Sequence, residues 1–275
     1  MENNLEHKRH SLAHLLAAAV LELYPGTKNT LGPAVDNGFY YDFEFASPVA
    51  DEDLAKIEAK MKELLPSWQT FQKIDAAADD AKKIFADNPY KLELIDEIAS
   101  KGEPLTLYYS GPRDSSPSLS DLLKTSNSKL ATGFFDLCRG GHADNPAKDI
   151  AKDSWKLSRI AGAYWRGDEK NKMLTRIYGL AFDTKDELEA YEKMVEEAKA
   201  RDHKKLGREL DLFVFSDLVG AGLPLWTPKG TELRNLLDDF VWSLRKSRGY
   251  MKVEIPHITK KDLYMTSGHW DKFKD

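Results

Sequence analysis

Two pairs of side chains at one spacing carry the chemistry available to this chain: His10 with His14, and Cys138 with His142. The sequence holds one cysteine and seven histidines, and it commits that cysteine and three of the histidines to these pairs. Each pair is i, i+4, a spacing that on a helix stacks two side chains on one face. Imidazole and thiol bind metals or move protons near neutral pH. A fold that brings the pairs together therefore makes either a four-ligand metal cage or a proton-handling pocket. His10 and His14 alone are a weak signal, because histidines on an amphipathic helix serve packing as often as ligation. Cys-Arg-Gly-Gly-His is stronger, since Gly140-Gly141 forces a turn in which backbone amides can approach a ligand. Three imidazoles and a thiolate suit tetrahedral zinc, and a catalytic zinc would need one position left for water. Asp136 breaks that simple reading. It stands two residues before Cys138 on one strand, so both side chains point the same way, and a carboxylate there can orient a histidine or a water.

The elements that must position these groups follow from periodicity and punctuation. Residues 8–24 keep a helical period through Leu12, Leu15, Leu16, Ala19 and Leu23, and Pro25-Gly26 stops it. The dense aromatic alternation of GFYYDFEF predicts a strand over 38–45. Residues 51–65 predict an amphipathic helix capped by Asp51 or Asp53, with further helices over 75–87 and 89–100. The third of these contains Lys91 as its only basic residue; most such lysines are solvated, and physics alone does not select it. LTLYYS predicts a strand over 105–110. The Ser/Pro/Gly-rich stretch 111–128 reads as an exposed, mobile insertion carrying one helical turn. ATGFFDLC returns as a strand, and 154–160 and 172–182 read as strands around the turn WRGDEKN. A charged helix over 185–207 is expected to connect two domains. DLFVF (211–215) reads as a strand, 219–230 as a Gly/Pro-rich loop, 230–248 as a helix and MKVEI as a strand before Pro256, after which no closing element is expected.

Composition sets the outer limits. At 275 residues, with 41% apolar and 31% charged side chains, the chain fits one large or two medium globular domains. No apolar run approaches the ~20 residues of a membrane span, and the N-terminus has no signal-peptide pattern. A lone cysteine forbids an internal disulfide and makes a reducing cytoplasm the expected compartment. The net charge of −5 does not advertise nucleic-acid binding, although KARDHKKLGR offers a local basic stripe.

RHSLAHLLAAAV, LGPAVDNGFYYDFEF, DLCRGGH and AGAYWRGDEKNKMLTRIYGLAF together resemble the editing domain of the bacterial-type threonyl-tRNA synthetase family. KARDHKKLGRELDLF is similar to that family's helix leading into its class II catalytic domain. GTELRNLLDDFVWSLRKSRGYMKVEIPHI, continuing to TSGHWDKFKD, resembles the first class II motif, a long helix and then a strand ending in Pro256. The resemblance runs from about residue 8 to 275. It implies an α+β fold: an editing domain of mixed or antiparallel sheet with flanking helices over 1–184, a linker helix over 185–209, and the N-terminal part of a class II catalytic domain over 210–275.

The resemblance also implies roles. His10, His14, Cys138 and His142 would line a pocket that hydrolyses seryl-tRNA formed in error on the threonine tRNA. Asp136 falls on the family's acid before the cysteine, Lys91 on its pocket lysine, Tyr41 on the tyrosine of GFYYD and Gly32 on the glycine before proline. Editing in the family works without metal, whereas related alanyl-tRNA editing domains hold zinc on a similar His/His and Cys/His set; Asp136 and Lys91 favour the metal-free version. Implied partners are the serine-charged threonine tRNA and a second copy of the full-length protein. ATP, magnesium and zinc are expected only for the full-length synthetase. Three departures stand out: the usual small ubiquitin-like domain does not precede the editing segment, the 111–128 insertion is long, and Gly141 replaces the family's usual proline. The later class II motifs are missing, so the chain reads as part of a synthetase and should not aminoacylate. Two rival readings are a free-standing zinc-dependent aminoacyl-tRNA deacylase and a catalytically inert tRNA-binding fragment, and apolar surface left over in 211–275 would promote association.

Overall fold

In the computed structural model, residues 4–124, 130, 132–256 and 259–273 are described. They form an α+β structure in two compact units, Met1–Val195 and Glu196–Asp275, and every strand pairing among them is antiparallel.

The first unit is built on α1 (Asn4–Leu23). Its residues Ser11 to Ala17 are all buried, because the helix is wrapped by neighbours on more than one face. Leu12, Leu15, Leu16 and Val20 pack with Phe39 and Phe43 from β3 (Gly38–Glu44) and with Ile57 and Met61 from α2 (Leu54–Leu64). The larger sheet adds β1 (Lys28–Asn29) and β2 (Ala34–Val35) on one edge of β3; on its other edge lie β8 (Met173–Ala181) and then β7 (Trp155–Tyr164). Phe39, Tyr41 and Phe43 alternate inward, as the period of two requires.

A second sheet orders β4 (Thr70–Asp75), β5 (Thr106–Gly111) and β6 (Phe134–Leu137). It encloses its own core with α3 (Ala78–Ile84) and α4 (Pro89–Ser100), through Ile84, Phe85, Ile95, Leu107 and Phe135. The expected helix over 75–87 therefore starts later, at Ala78, and is preceded by a strand, β4, that the local sequence pattern does not announce. Thr70 to Asp75 pair in unbroken register with Gly111 to Thr106, so a tertiary ladder overrides a segment whose own pattern is weak.

Residues 111–124 of the expected insertion are not simply exposed. They carry α5 (Leu119–Leu122), whose Leu122 is fully buried in the second core; residues 125–128 lie outside the described residues. A short α6 (Pro146–Asp149) leads into β7. Neither aspartate caps α2 with its side chain: Asp53 stands at the N-cap position, but its carboxylate turns back to accept from Ala50 N at 3.0 Å, ahead of the 3-10 turn Asp51–Asp53, while Asp51 accepts from Ile160 N at 2.9 Å.

The predicted helix over 185–207 is two helices, α7 (Lys185–Ala200) and α8 (His203–Glu209). Asp202 ends the first and caps the second, accepting from Lys204 N at 2.7 Å. DLFVF contributes only β9 (Phe213–Val214), which pairs with β10 (Leu225–Trp226) inside the stretch read as loop. α9 (Pro228–Lys246) follows, with Thr227 accepting from Gly230 N. MKVEI is not a strand: no described strand pairs with it, and Val253 and Ile255 are each 78% exposed. The chain then does have closing elements, α10 (Lys261–Thr266) and α11 (His269–Lys272). No helix among the described residues is long and apolar enough to cross a membrane.

Candidate active site

The residues expected to do chemistry meet at one place in the first unit. His10 and His14 project from α1, Lys91 from the first turn of α4, Tyr41 from β3 and Asp136 from β6. A cavity of about 360 Å³ is lined by all five, together with Cys138 and Gly32. His142 lies behind its wall, stacked on His10 (centroids 4.4 Å apart) and face to face with Phe71 (3.9 Å).

Cys138 and His142 share the i, i+4 spacing but are not on a helix. They bracket a loop in which Gly140 and Gly141 take φ of +98° and +83°. A proline ring fixes φ near −65°, so the loop cannot hold the proline usual at position 141 in this form. The turn points the Gly140 amide at the Cys138 sulfur, 3.4 Å away. His10 Nε2 and His142 Nε2 lie 3.5 and 3.4 Å from the same sulfur. The other nitrogen of His10, Nδ1, is 3.1 Å from the Gly141 carbonyl, which can only accept. His10 Nδ1 therefore carries the proton, and Nε2 presents a lone pair to the cluster.

Burial decides the protonation of this cluster. Desolvation lowers His10 below the ordinary histidine range and takes His142 down to about 2. His14, fully enclosed, is held well below its usual value, first by burial and then by His142, His10 and Lys91. Desolvation pushes the Cys138 thiol up to about 12. At neutral pH the four groups are three neutral imidazoles and an S–H.

Beside them sits an ionic group that sequence physics did not pick out. Lys91 Nζ is 2.6 Å from Asp136 Oδ1, and both side chains are at most 2% exposed. The Tyr41 hydroxyl donates to the other Asp136 oxygen. It accepts in turn from Asn29 Nδ2 at 3.1 Å and Lys91 Nζ at 3.3 Å. Burial, reinforced by Asp136, holds the Tyr41 phenol well above its usual value, so it remains a donor. Asp136 also takes the Leu137 amide at 2.8 Å on the oxygen that faces Lys91, so both carboxylate oxygens are hydrogen-bonded.

Two asparagines missed in the sequence hold the triad in place. Asn88 caps α4 by accepting from Tyr90 N and Lys91 N, and it donates to Asn29 O at 2.8 Å. The signal for Asn88 is the Asn-Pro pair before a helical run, a capping pattern; Asn29, followed by Thr30, has none. Gly32 has a steric role. A Cβ there would stand 2.0 Å from the Tyr41 ring, so only glycine lets the loop cover that ring.

The cluster also meets the donor requirements of a metal. The four ligand atoms of His10, His14, Cys138 and His142 lie within 4.8 Å of one another, and His14 Nδ1 is buried without a hydrogen-bond partner among the described residues. Zinc held there would act as a Lewis acid. A metal on that sulfur would itself deprotonate the thiol, and the Lys91 ammonium beside the cluster is already paired with Asp136.

No protein-family model matches the chain. Individual relatives do. It is 45% identical over 268 residues to threonine–tRNA ligase of Rubrobacter xylanophilus, covering 97% of this chain and 38% of that relative. Threonine–tRNA ligase of Porphyromonas gingivalis is 47% identical over 268 residues, 96% of this chain and 37% of the relative. The chain belongs to the threonyl-tRNA synthetase family. It matches the relative from Dehalococcoides mccartyi over 273 residues at 43% identity, and in each case it spans well under half of the relative's length.

Proposed function

We propose that residues 1–184 form an editing domain that hydrolyses the serine ester at the 3′ end of the threonine tRNA. Residues 185–209 are then a linker and 210–275 the beginning of a class II catalytic domain, motif 1 included. The observation that carries this reading is the junction, in one cavity, of neutral His10, His14 and Cys138, backed by His142, with the buried Lys91–Asp136–Tyr41 group.

The need for such a site is energetic. One methyl group is worth only ~1–3 kcal/mol of discrimination, so a synthetic site that admits threonine admits serine too often. A second cavity that accepts serine and clashes with the extra methyl restores the difference.

Ester hydrolysis requires a placed water, a proton acceptor and stabilisation of the oxyanion. A neutral imidazole can accept a hydrogen bond from the water, and His10 and His14 are both neutral. The Lys91 ammonium, anchored by Asp136, faces the charge that develops on the ester oxygen or binds the terminal ribose. Cys138 remains S–H, so it orients groups rather than attacking the ester. Aminoacylation, with its ATP, magnesium and zinc, and pairing with a second copy belong to the full-length relatives. The reading is tested by replacing His10, His14 and Lys91 singly and measuring deacylation of seryl-tRNA. Each replacement should slow it by ~100-fold, and unchanged rates in all three would overturn the proposal. Stoichiometric zinc in purified protein, with activity lost to chelators, would instead favour the zinc-dependent deacylase.

A further inference from the structure

Trp165 and Arg166, in the turn between β7 and β8, stand outside the pocket, and nothing in the chemistry above uses them. Arg166 has φ +56°, in the left-handed region, and is followed by Gly167 at φ +74°. Glycine or asparagine would occupy that conformation at less cost. An arginine held there is present for its side chain.

That side chain spans two turns of α4. Arg166 Nε is 2.6 Å from Glu93 and Nη2 is 2.7 Å from Glu97. Trp165, buried, donates from Nε1 to Glu93 at 2.9 Å and sets its ring edge-on to Tyr90 at 5.1 Å. Tyr90 is the residue before Lys91. The two neighbouring faces of α4 thus have different tasks: Lys91, Leu94 and Ile98 line the cavity, Tyr90 and Glu93 are gripped by the turn, and Glu97 does both, lining the cavity while it holds Arg166. The gripping ion pairs are 36–49% exposed, so they contribute little to stability. Their geometric effect is larger, because α4 is tied to the β7–β8 hairpin at the turn that carries Lys91.

We propose that Arg166 is a positioning residue for the editing reaction: with Trp165 it fixes α4 so that the Lys91 ammonium stays on Asp136 and faces the substrate. This rests on the editing role given to Lys91 above. The test compares Arg166→Gly and Arg166→Lys with wild type in the full chain. Single-turnover deacylation of seryl-tRNA is read at saturating protein, alongside thermal stability and hydrogen exchange of the α4 amides.

Glycine accepts the left-handed backbone, so Arg166→Gly should leave the melting temperature unchanged or raise it. It should still slow deacylation by roughly tenfold or more, as a small misplacement of a reacting group does, with α4 amides exchanging faster. Arg166→Lys should recover part of the rate. In a Lys91→Ala background, Arg166→Gly should add almost nothing. A wild-type rate in Arg166→Gly, losses that multiply with Lys91→Ala, or unchanged exchange in α4 would overturn the inference. Were wild type itself inactive on seryl-tRNA, the editing reading would fall, and the exchange measurement would still decide whether the turn fixes α4.

Discussion

Burying Lys91 beside Asp136 is expensive unless each keeps the other. Taking one away leaves an uncompensated charge in the interior, a loss of about 3–5 kcal/mol. Lys91→Ala should therefore lower the urea midpoint as well as the editing rate, and restoring stability with Lys91→Ala/Asp136→Asn should not restore the rate. The imidazoles predict a pH dependence. His142, His10 and His14 have pKa values below those of the unfolded chain, so between the two values only the unfolded state binds the proton. Their contribution is complete above about pH 6.5 and falls by up to ~1.4 kcal/mol per pH unit per group as pH drops through that window. Cys138 acts in the opposite sense: its raised pKa costs stability above about pH 9. Melting temperature against pH should show both limbs, and His142→Asn should flatten the acid one. At this scale the sequence was unevenly legible. The two i, i+4 pairs announced themselves by rarity. Lys91 did not, because a lysine in an amphipathic helix has the same local pattern whether it points to water or to a carboxylate far along the chain. Only the family resemblance placed it.

Among the elements, α4 matters most to the site, and Asn88 begins it. Asn88→Ala removes the cap and the bond to Asn29 together, and about 1–2 kcal/mol should be lost. The measurement is chemical denaturation, paired with deacylation, since Tyr41 depends on Asn29 for one of its hydrogen bonds. The elements read correctly from sequence were those with their own periodicity and punctuation, such as α1, which ends at Leu23 ahead of Pro25-Gly26 although it starts at Asn4, four residues before the expected start. β4 was hidden because its stability comes from pairing with β5. MKVEI failed in the reverse way. Its alternation is strand-like, but a strand needs a neighbour to take its hydrogen bonds, and none of the described strands provides one.

The whole molecule divides into parts of unlike character. The first unit holds three apolar clusters. In the second, only Gly207 and Gly230 are buried among the described residues, and Leu236, Leu237, Phe240 and Leu244 of α9 are each at least half exposed. Limited proteolysis should therefore cut within 196–273 first and leave a resistant core containing α1 to β8. The same apolar face should promote association of the chain, seen as concentration-dependent light scattering. Discrimination between two substrates tests the account most directly: initial rates of deacylation for threonine tRNA charged with serine and with threonine. An editing site of this kind predicts rapid release of serine, threonine release at the rate without protein, and loss of serine release on replacing Lys91. Equal hydrolysis of both esters, or of neither, would contradict it.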